Sequence, residues 1–371
     1  MTALAITPVK IPSTPDAGTY VLDGSPDSAT EFQECHALLE AHELEKWGNL
    51  DRCPTLLEDL EYWRGSEYEE RHLFIARQGG DAVGMCSVTL PLRENTTTAG
   101  INVLVSTGYR RQGRGRRLLE YAEAVATARA RTSLDAYCEL PADTAERSGR
   151  LVPAKSGAGG LPADDPSVAF AAGCGYELEQ VERASRLALP VPADQLEELE
   201  SAARRRAGGD YALVAWADKC PEWLVGEYAM LRNRMTIDVP TAGLNWEAED
   251  WDPARVRHEE RANGRGGVQA QVAAALHEST GRLVAYTVLT WRAGVPASII
   301  QQDTLVTAEH RGKKLGLLTK AANLRSAQER WPAARSVLTW NAVENQHMLA
   351  INTLLGFKPA GYEGEWQKRL E

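Results

Sequence analysis

The chain lacks any pair of cysteines at two-residue spacing: Cys35, Cys53, Cys86, Cys138, Cys174 and Cys220 are scattered along it. That pattern argues against a zinc site or a disulfide framework, so no metal is expected. No window holds eighteen uninterrupted apolar residues, and the N-terminal stretch Met1-Thr2-Ala3-Leu4-Ala5-Ile6 lacks a basic start before a long apolar run. A secretory leader and a membrane-spanning helix are therefore not expected, and the chain reads as cytoplasmic with no membrane partner. Positive charge is also short: 41 Lys and Arg stand against 51 Asp and Glu, a net charge of −10. Such a balance disfavours nucleic acid as a partner and suits a cationic one.

What remains is the composition of an ordinary globular protein, 43% hydrophobic and 25% charged over 371 residues. That length suggests two domains. A repeat gives the same count. Leu104-Val105 leads through Ser106-Thr107-Gly108-Tyr109 into Arg110-Arg111-Gln112-Gly113-Arg114-Gly115 and a helical run; Leu305-Val306 leads through Thr307-Ala308-Glu309-His310 into Arg311-Gly312-Lys313-Lys314-Leu315-Gly316 and another. Every matched landmark is 201 positions apart, and the register extends upstream, where Gly80 to Gly84 matches Gly281 to Ala285. Self-similarity over some thirty residues marks a duplicated unit.

Short β-like runs alternate with helical patterns in each half. Tyr20-Val21-Leu22 reads as a first strand, Glu31 to Trp47 and Leu56 to Arg64 as helices, and Leu73 to Ala76, Val83 to Leu90 and Ala99 to Val105 as strands. The expected boundaries are a first domain over 1–190, a charged linker helix over 191–209 and a second domain over 210–371. Between Pro141 and Pro166 lies a glycine- and proline-rich stretch with no counterpart in the second half, read as a mobile loop.

A glycine-bearing turn that opens a helix directly after a strand presents unpaired N–H groups at the positive end of the helix dipole. It binds anions, typically a pyrophosphate. Gly113 and Gly115 let the backbone come close to phosphate, while Arg110, Arg111, Arg114 and Arg116 add charge.

The pattern Arg110-x-x-Gly113-x-Gly115 after an apolar strand resembles the acyl-CoA loop of the GCN5-related N-acetyltransferases, the GNAT family. Asn345-x-x-Met348-x-x-x-Asn352-x-x-Leu355-Gly356-Phe357 is similar to that family's downstream segment. With both halves, the chain resembles the tandem actinobacterial type to which mycothiol synthase belongs. The resemblance implies an α/β fold, an α+β sandwich of two tandem domains. Each domain would hold a central mixed, mostly antiparallel sheet flanked by helices, with a splayed strand pair at the acyl-CoA site. It further implies acetyl-CoA or another acyl-CoA as co-substrate, a small-molecule amine as acceptor, and a monomer or weak homodimer.

Carried over residue by residue, Leu104 and Val105, or Leu305 and Val306, would offer backbone groups to pantetheine and the thioester carbonyl. The loops Arg110-Arg111-Gln112-Gly113-Arg114-Gly115-Arg116 and Arg311-Gly312-Lys313-Lys314-Leu315-Gly316 would hold the pyrophosphate, and Asn345 the CoA arm. Two departures stand out: Lys314 occupies the place of Gly113, and Asn352 stands where the family often has a tyrosine that protonates the leaving thiolate. For catalysis in the second half, Asp303 is the nearest carboxylate to the strand end and is expected as the base. Glu247, in Trp246-Glu247-x-Glu249-x-Trp251-Asp252, would face a cationic amine. In the first half the corresponding residues are Glu94, Asn95 and Glu139. The reading is N-acetylation of a small amine in specialised metabolism, thiol cofactor synthesis or antibiotic modification, with transfer in the second half. The alternatives are a different acyl donor and a non-catalytic, regulatory acyl-CoA-binding protein.

Overall fold

A computed structural model describes residues 3–13, 28–146, 149–238 and 242–370. The chain divides into two compact units, one of Met1–Glu182, Thr241–Trp246 and Tyr362–Glu371, the other of Arg183–Pro240 and Glu247–Gly361.

In the first unit β1 (Ala5–Pro8) is followed by α1 (Ser28–Trp47), α2 (Leu56–Trp63), β2 (Glu69–Gln78), β3 (Asp81–Pro91) and β4 (Thr98–Val105). Then come α3 (Arg114–Ala128), β5 (Ser133–Pro141), the single turn α4 (Ala142–Ala145), a hairpin of β6 (Leu151–Pro153) and β7 (Gly160–Pro162), α5 (Pro166–Gly173) and β8 (Glu177–Ala188). Strands β1 to β4 pair antiparallel in sequence order, and β5 joins β4 in parallel. The expected strand at Tyr20-Val21-Leu22 lies outside the described residues, and Ala5–Pro8 takes the sheet edge against β2. Thr55 and Glu58 form a reciprocal cap that starts α2, satisfying two N–H groups the helix cannot. Leu60, Phe32, Cys35 and Ile75 then close the core between these helices and the sheet.

The described residues of the stretch between Pro141 and Pro166 are more ordered than its composition suggests. Gly157 and Gly159 turn at positive φ and let β7 fold back on β6, which buries Leu161 completely. A buried leucine at that point favours a packed hairpin over a mobile loop.

The second unit runs α6 (Ala193–Ala207), β9 (Tyr211–Ala217), α7 (Val225–Asp238), α8 (Pro253–Arg265), β10 (Val268–His277), β11 (Arg282–Arg292) and β12 (Ser298–Val306). After these follow α9 (Leu315–Arg330), β13 (Ser336–Ala342), α10 (Gln346–Leu355) and β14 (Lys358–Arg369), whose residues from Tyr362 onward belong to the first unit. Strands β9 to β12 are again antiparallel and β13 is parallel to β12. Residues 191–209 contain α6, whose Leu196, Ala203 and Ala207 fall on one helical stripe and pack with Leu317, Leu318 and Ala321 of α9. Truncating Leu196 to alanine would cost about 2–5 kcal/mol.

Candidate functional site

In each unit the parallel pair is short. β4 and β5 match at Thr98 with Ser133, Ala99 with Leu134 and Gly100 with Asp135, and then part. β12 and β13 match at Ser298, Ile299 and Ile300 with Ser336, Val337 and Leu338 and likewise part. Both units thus have the splayed strands the sequence implied. In the first unit the opening is a cavity of about 1040 Å³, walled by Ile101 to Val105 on one side and Ala136 to Pro141 on the other.

The loop after β4 contributes to the lining of this cavity. Gly113 caps α3 at φ 80°, and its counterpart Lys314 caps α9 at φ 57°. Two residues earlier the roles reverse: Arg111 sits at φ 61° and Gly312 at φ 79°. The loop therefore needs two left-handed residues, and each copy has glycine at one of them. The asymmetry between Gly113 and Lys314 is one of residue type, not of backbone path, and the long side chain carries a strain of about 1 kcal/mol. At Gly115 an added Cβ would stand 3.4 Å from the Phe170 ring, and at Gly316 3.4 Å from Ile351, so each glycine packs closely under one apolar side chain.

Arg110 fastens the loop. Its Nε donates to the Val105 carbonyl at 2.8 Å, and its two terminal nitrogens donate to Glu45 of α1 at 2.8 and 2.7 Å, which holds that carboxyl below its usual range. Arg311 repeats the pattern with Val306 at 3.2 Å and Asp238 of α7 at 3.1 Å. Arg114 is turned back onto Gln78 and the Tyr109 carbonyl, Gln112 reaches the Gly108 carbonyl at 3.3 Å, and Arg116 reaches that of Gly173 at 3.5 Å. Arg111 stays exposed at the mouth. Of the residues expected to bind the cofactor, Leu104 and Val105 of the strand and Arg110, Arg111, Gly113, Gly115 and Arg116 of the loop all line the cavity.

Part of the lining is acidic: Glu139 was a candidate from the sequence, and Glu43 was not. Glu43 of α1 and Glu139 of β5 both line the cavity. Glu139 is paired with Arg52 at 2.9 Å, whereas the buried Glu43 has an Oε2 without a hydrogen-bond partner. Burial and the charge of Glu139 push Glu43 up to about 7. Beside it burial pulls His42 down to about 4, so that imidazole is neutral at neutral pH. Glu43 falls in a helical run, where a glutamate reads as solvated surface; only the fold shows that its turn of α1 meets β5. Two phenols also line the cavity, Tyr137 and Tyr176, the latter donating to Glu123 at 3.1 Å.

The second unit's residues are arranged differently. Asp303 Oδ2 accepts from Tyr286 Oη at 2.9 Å and faces Arg232 Nε at 3.4 Å. Asn345 caps α10, accepting from the Met348 N–H at 3.2 Å, and the fully buried Asn352 donates to Asn341 Oδ1 at 2.7 Å. Glu247 is exposed; in the same acidic segment Asp252 caps α8, and Glu249 pairs with Arg255 at 3.1 Å.

The walls of the two openings also differ in polarity. Val103, Leu119, Cys138 and Ala171 line the first. The matching positions of the second unit hold Thr304, Lys320, Asn341 and Asn352. Lys320, six residues into its helix as Leu119 is into α3, is buried, lies 3.4 Å from Thr304 Oγ1 and 5.9 Å from the centre of the Phe357 ring, and is driven down to about 7 by burial. An apolar acyl arm suits the first lining and not the second.

Residues 38–147, which span α1, the splayed strands and the anion loop, match the model of the acetyltransferase (GNAT) family. That match lies wholly within the first unit. A tandem GNAT protein from the clavulanic acid biosynthesis pathway shares the fold over 99% of this chain and 98% of its own, with a TM-score of 0.73 at 24% identity. A GCN5-related N-acetyltransferase from Sphaerobacter thermophilus matches over 91% of each chain, with a TM-score of 0.58 at 13% identity. No curated protein sequence matches the chain. The tandem GNAT architecture expected from the repeat is thereby shown, and acetyl-CoA is the co-substrate general to GNAT proteins. Among the described residues no helix is long and apolar enough to cross a membrane.

Proposed function

We propose that the chain is an acyl-CoA-dependent N-acyltransferase that moves an acetyl group to the amine of a small molecule, and that the donor lies in the cavity of the first GNAT domain. The observation that carries this reading is the lining of that cavity, which brings together the loop residues Arg110, Arg111, Gly113, Gly115 and Arg116, the carboxylates Glu43 and Glu139, and the apolar Val103, Leu119 and Cys138. Phosphates belong at the first and a cationic amine at the second.

The loop amides from Arg111 to Arg116 hold the pyrophosphate, and the parted end of β4 receives the pantetheine arm and thioester. The amine nitrogen attacks the thioester carbonyl carbon, the C–S bond breaks, and the thiolate takes a proton from solvent. Glu43 accepts the proton lost by the amine, because a carboxylate titrating near 7 is matched to that task at neutral pH. The polar lining around Lys320 makes the second unit the weaker host for the donor, so transfer is assigned to the first unit in place of the Asp303 reading. An acceptor from specialised metabolism is the narrower reading, and the tandem neighbour from the clavulanic acid biosynthesis pathway supports it.

Release of free thiol from acetyl-CoA with a panel of primary amines tests the reading. Turnover in the native chain that drops at least tenfold in Glu43→Gln supports it; no thiol release with any amine contradicts it.

A further inference from the structure

Lys320 of α9 is 3% exposed, and among the described residues its Nζ has one hydrogen-bond partner, Thr304 Oγ1 at 3.4 Å. That hydroxyl is already shared, donating to the Asp303 carbonyl at 2.9 Å and meeting Thr287 Oγ1 at 2.8 Å. No described carboxylate pairs with Lys320, and burial is the one influence on its acidity. An ammonium taken out of water is costly unless a counter-charge comes with it.

The place Lys320 occupies is the second unit's counterpart of the first unit's cavity. Val103, Leu119, Cys138, Ala171 and Tyr176 all line that cavity. By position in the repeat their matches are Thr304, Lys320, Asn341, Asn352 and Phe357, all uncharged except the lysine. These five form one chain of contacts. Lys320 reaches Thr304 and stands 5.9 Å from the centre of the Phe357 ring. The Phe357 N–H donates to the Asn352 carbonyl at 3.0 Å, and Asn352 Nδ2 donates to Asn341 Oδ1 at 2.7 Å. Thr304 and Asn341 lie beyond Ile300 and Leu338, the last pair before β12 and β13 part.

A second polar atom of the group is also short of a partner. Asn352 is fully buried, and its Oδ1 has no donor among the described residues. The two shortages are complementary, one cation without an anion and one acceptor without a donor. A ligand that relieves both carries negative charge together with an N–H or O–H group. One ammonium balances one negative charge, which suits a carboxylate over a phosphate dianion. The burial of Lys320 and Asn352 restricts that ligand to few atoms.

We propose that the parted end of β12 and β13 in the second unit binds a small carboxylate, paired with the Lys320 ammonium, whose neighbouring N–H or O–H group donates to Asn352 Oδ1. The first unit's opening then serves an apolar arm and the second a small polar acid, on the same fold. The proposal stands apart from the transferase reading, since none of its readouts is turnover.

Calorimetric titration with propionate, lactate and methyl lactate at pH 7 tests it in the native chain, in Lys320→Met and in Asn352→Leu, with thermal melts to check folding. Propionate and lactate differ by one hydroxyl, and methyl lactate lacks the charge. Both acids are expected to bind the native chain, lactate the more tightly, and the ester to leave it unoccupied. Lys320→Met weakens both acids at least about tenfold, and Asn352→Leu removes the preference for lactate. In the native chain the affinity falls about tenfold per pH unit between about 8 and 10, because Lys320 takes up a proton to pair and neither acid titrates there. Failure of both acids to bind, or equal binding by Lys320→Met, overturns the proposal. Two acetyl-CoA sites per native chain also overturn it, by making this place a second donor site.

Discussion

Lys320 Nζ lies 3.4 Å from Thr304 Oγ1 inside the second unit, and burial alone sets its acidity, pulling it down to about 7. The native state thus binds the proton more weakly than the unfolded chain, whose lysine titrates near 10.5. The sign follows from linkage: between about 7 and 10.5 the unfolded state holds more protons, so stability rises with pH across that window. Lys320→Met removes the titrating group, and the variant's stability advantage over the native chain should be largest near pH 7 and shrink toward pH 10. The difference is up to about 5 kcal/mol by the size of the shift. Urea denaturation at several pH values measures it.

Glu43 is the mirror case. Its folded value of about 7 exceeds the ordinary 4.5, so the native state holds the proton more tightly and stability falls as pH rises from 4.5 to 7. Glu43→Gln should be more stable than the native chain at pH 8 by up to about 3 kcal/mol and nearly equal to it at pH 4. Its activity should move the other way. If Glu43 takes the proton, kcat of the native chain rises through pH 7 as the carboxylate ionises, and the variant loses that rise together with at least tenfold in rate. A pH profile of kcat in both proteins decides the matter.

The two loops carry the same backbone with opposite glycines, which makes an exchange informative. Gly113→Ala forces a Cβ into a left-handed position at φ 80° and should cost about 1 kcal/mol. Lys314→Gly relieves the same strain in the second unit, partly offset by the freedom glycine adds to the unfolded chain, and should leave stability within about 1 kcal/mol of native. Thermal melts report both. Only Gly113→Ala should weaken acetyl-CoA binding.

Much of the fold was readable because it is periodic. The repeat at 201 positions pointed to two units, and the loop after Leu104-Val105 to a turn that opens a helix beside the cavity. The loop's inner wiring was not readable: Arg110, counted as a phosphate ligand, spends its donors on Val105 and Glu45. That pairing joins residues 65 positions apart, beyond any local pattern. The same holds for Glu43, which gains its meaning only where α1 meets β5. Asp303 and Asn352 were singled out by their places in the sequence, and those places cannot reveal that Asp303 Oδ2 accepts from Tyr286 and faces Arg232, or that Asn352 Nδ2 donates to Asn341. Composition misled at residues 141–166, where one buried leucine outweighs the turn-forming residues around it.

Calorimetric titration of acetyl-CoA into the native chain and into Leu119→Lys tests the central claim most directly, because that substitution gives the first opening the lysine found in the second. Arg111→Glu, at an exposed position of the loop, serves as a second variant that leaves the core untouched. The account predicts one site per chain in the native protein, and loss of that site in Leu119→Lys with at least tenfold weaker binding in Arg111→Glu. Undiminished binding in both variants would contradict it and move the donor to the second unit.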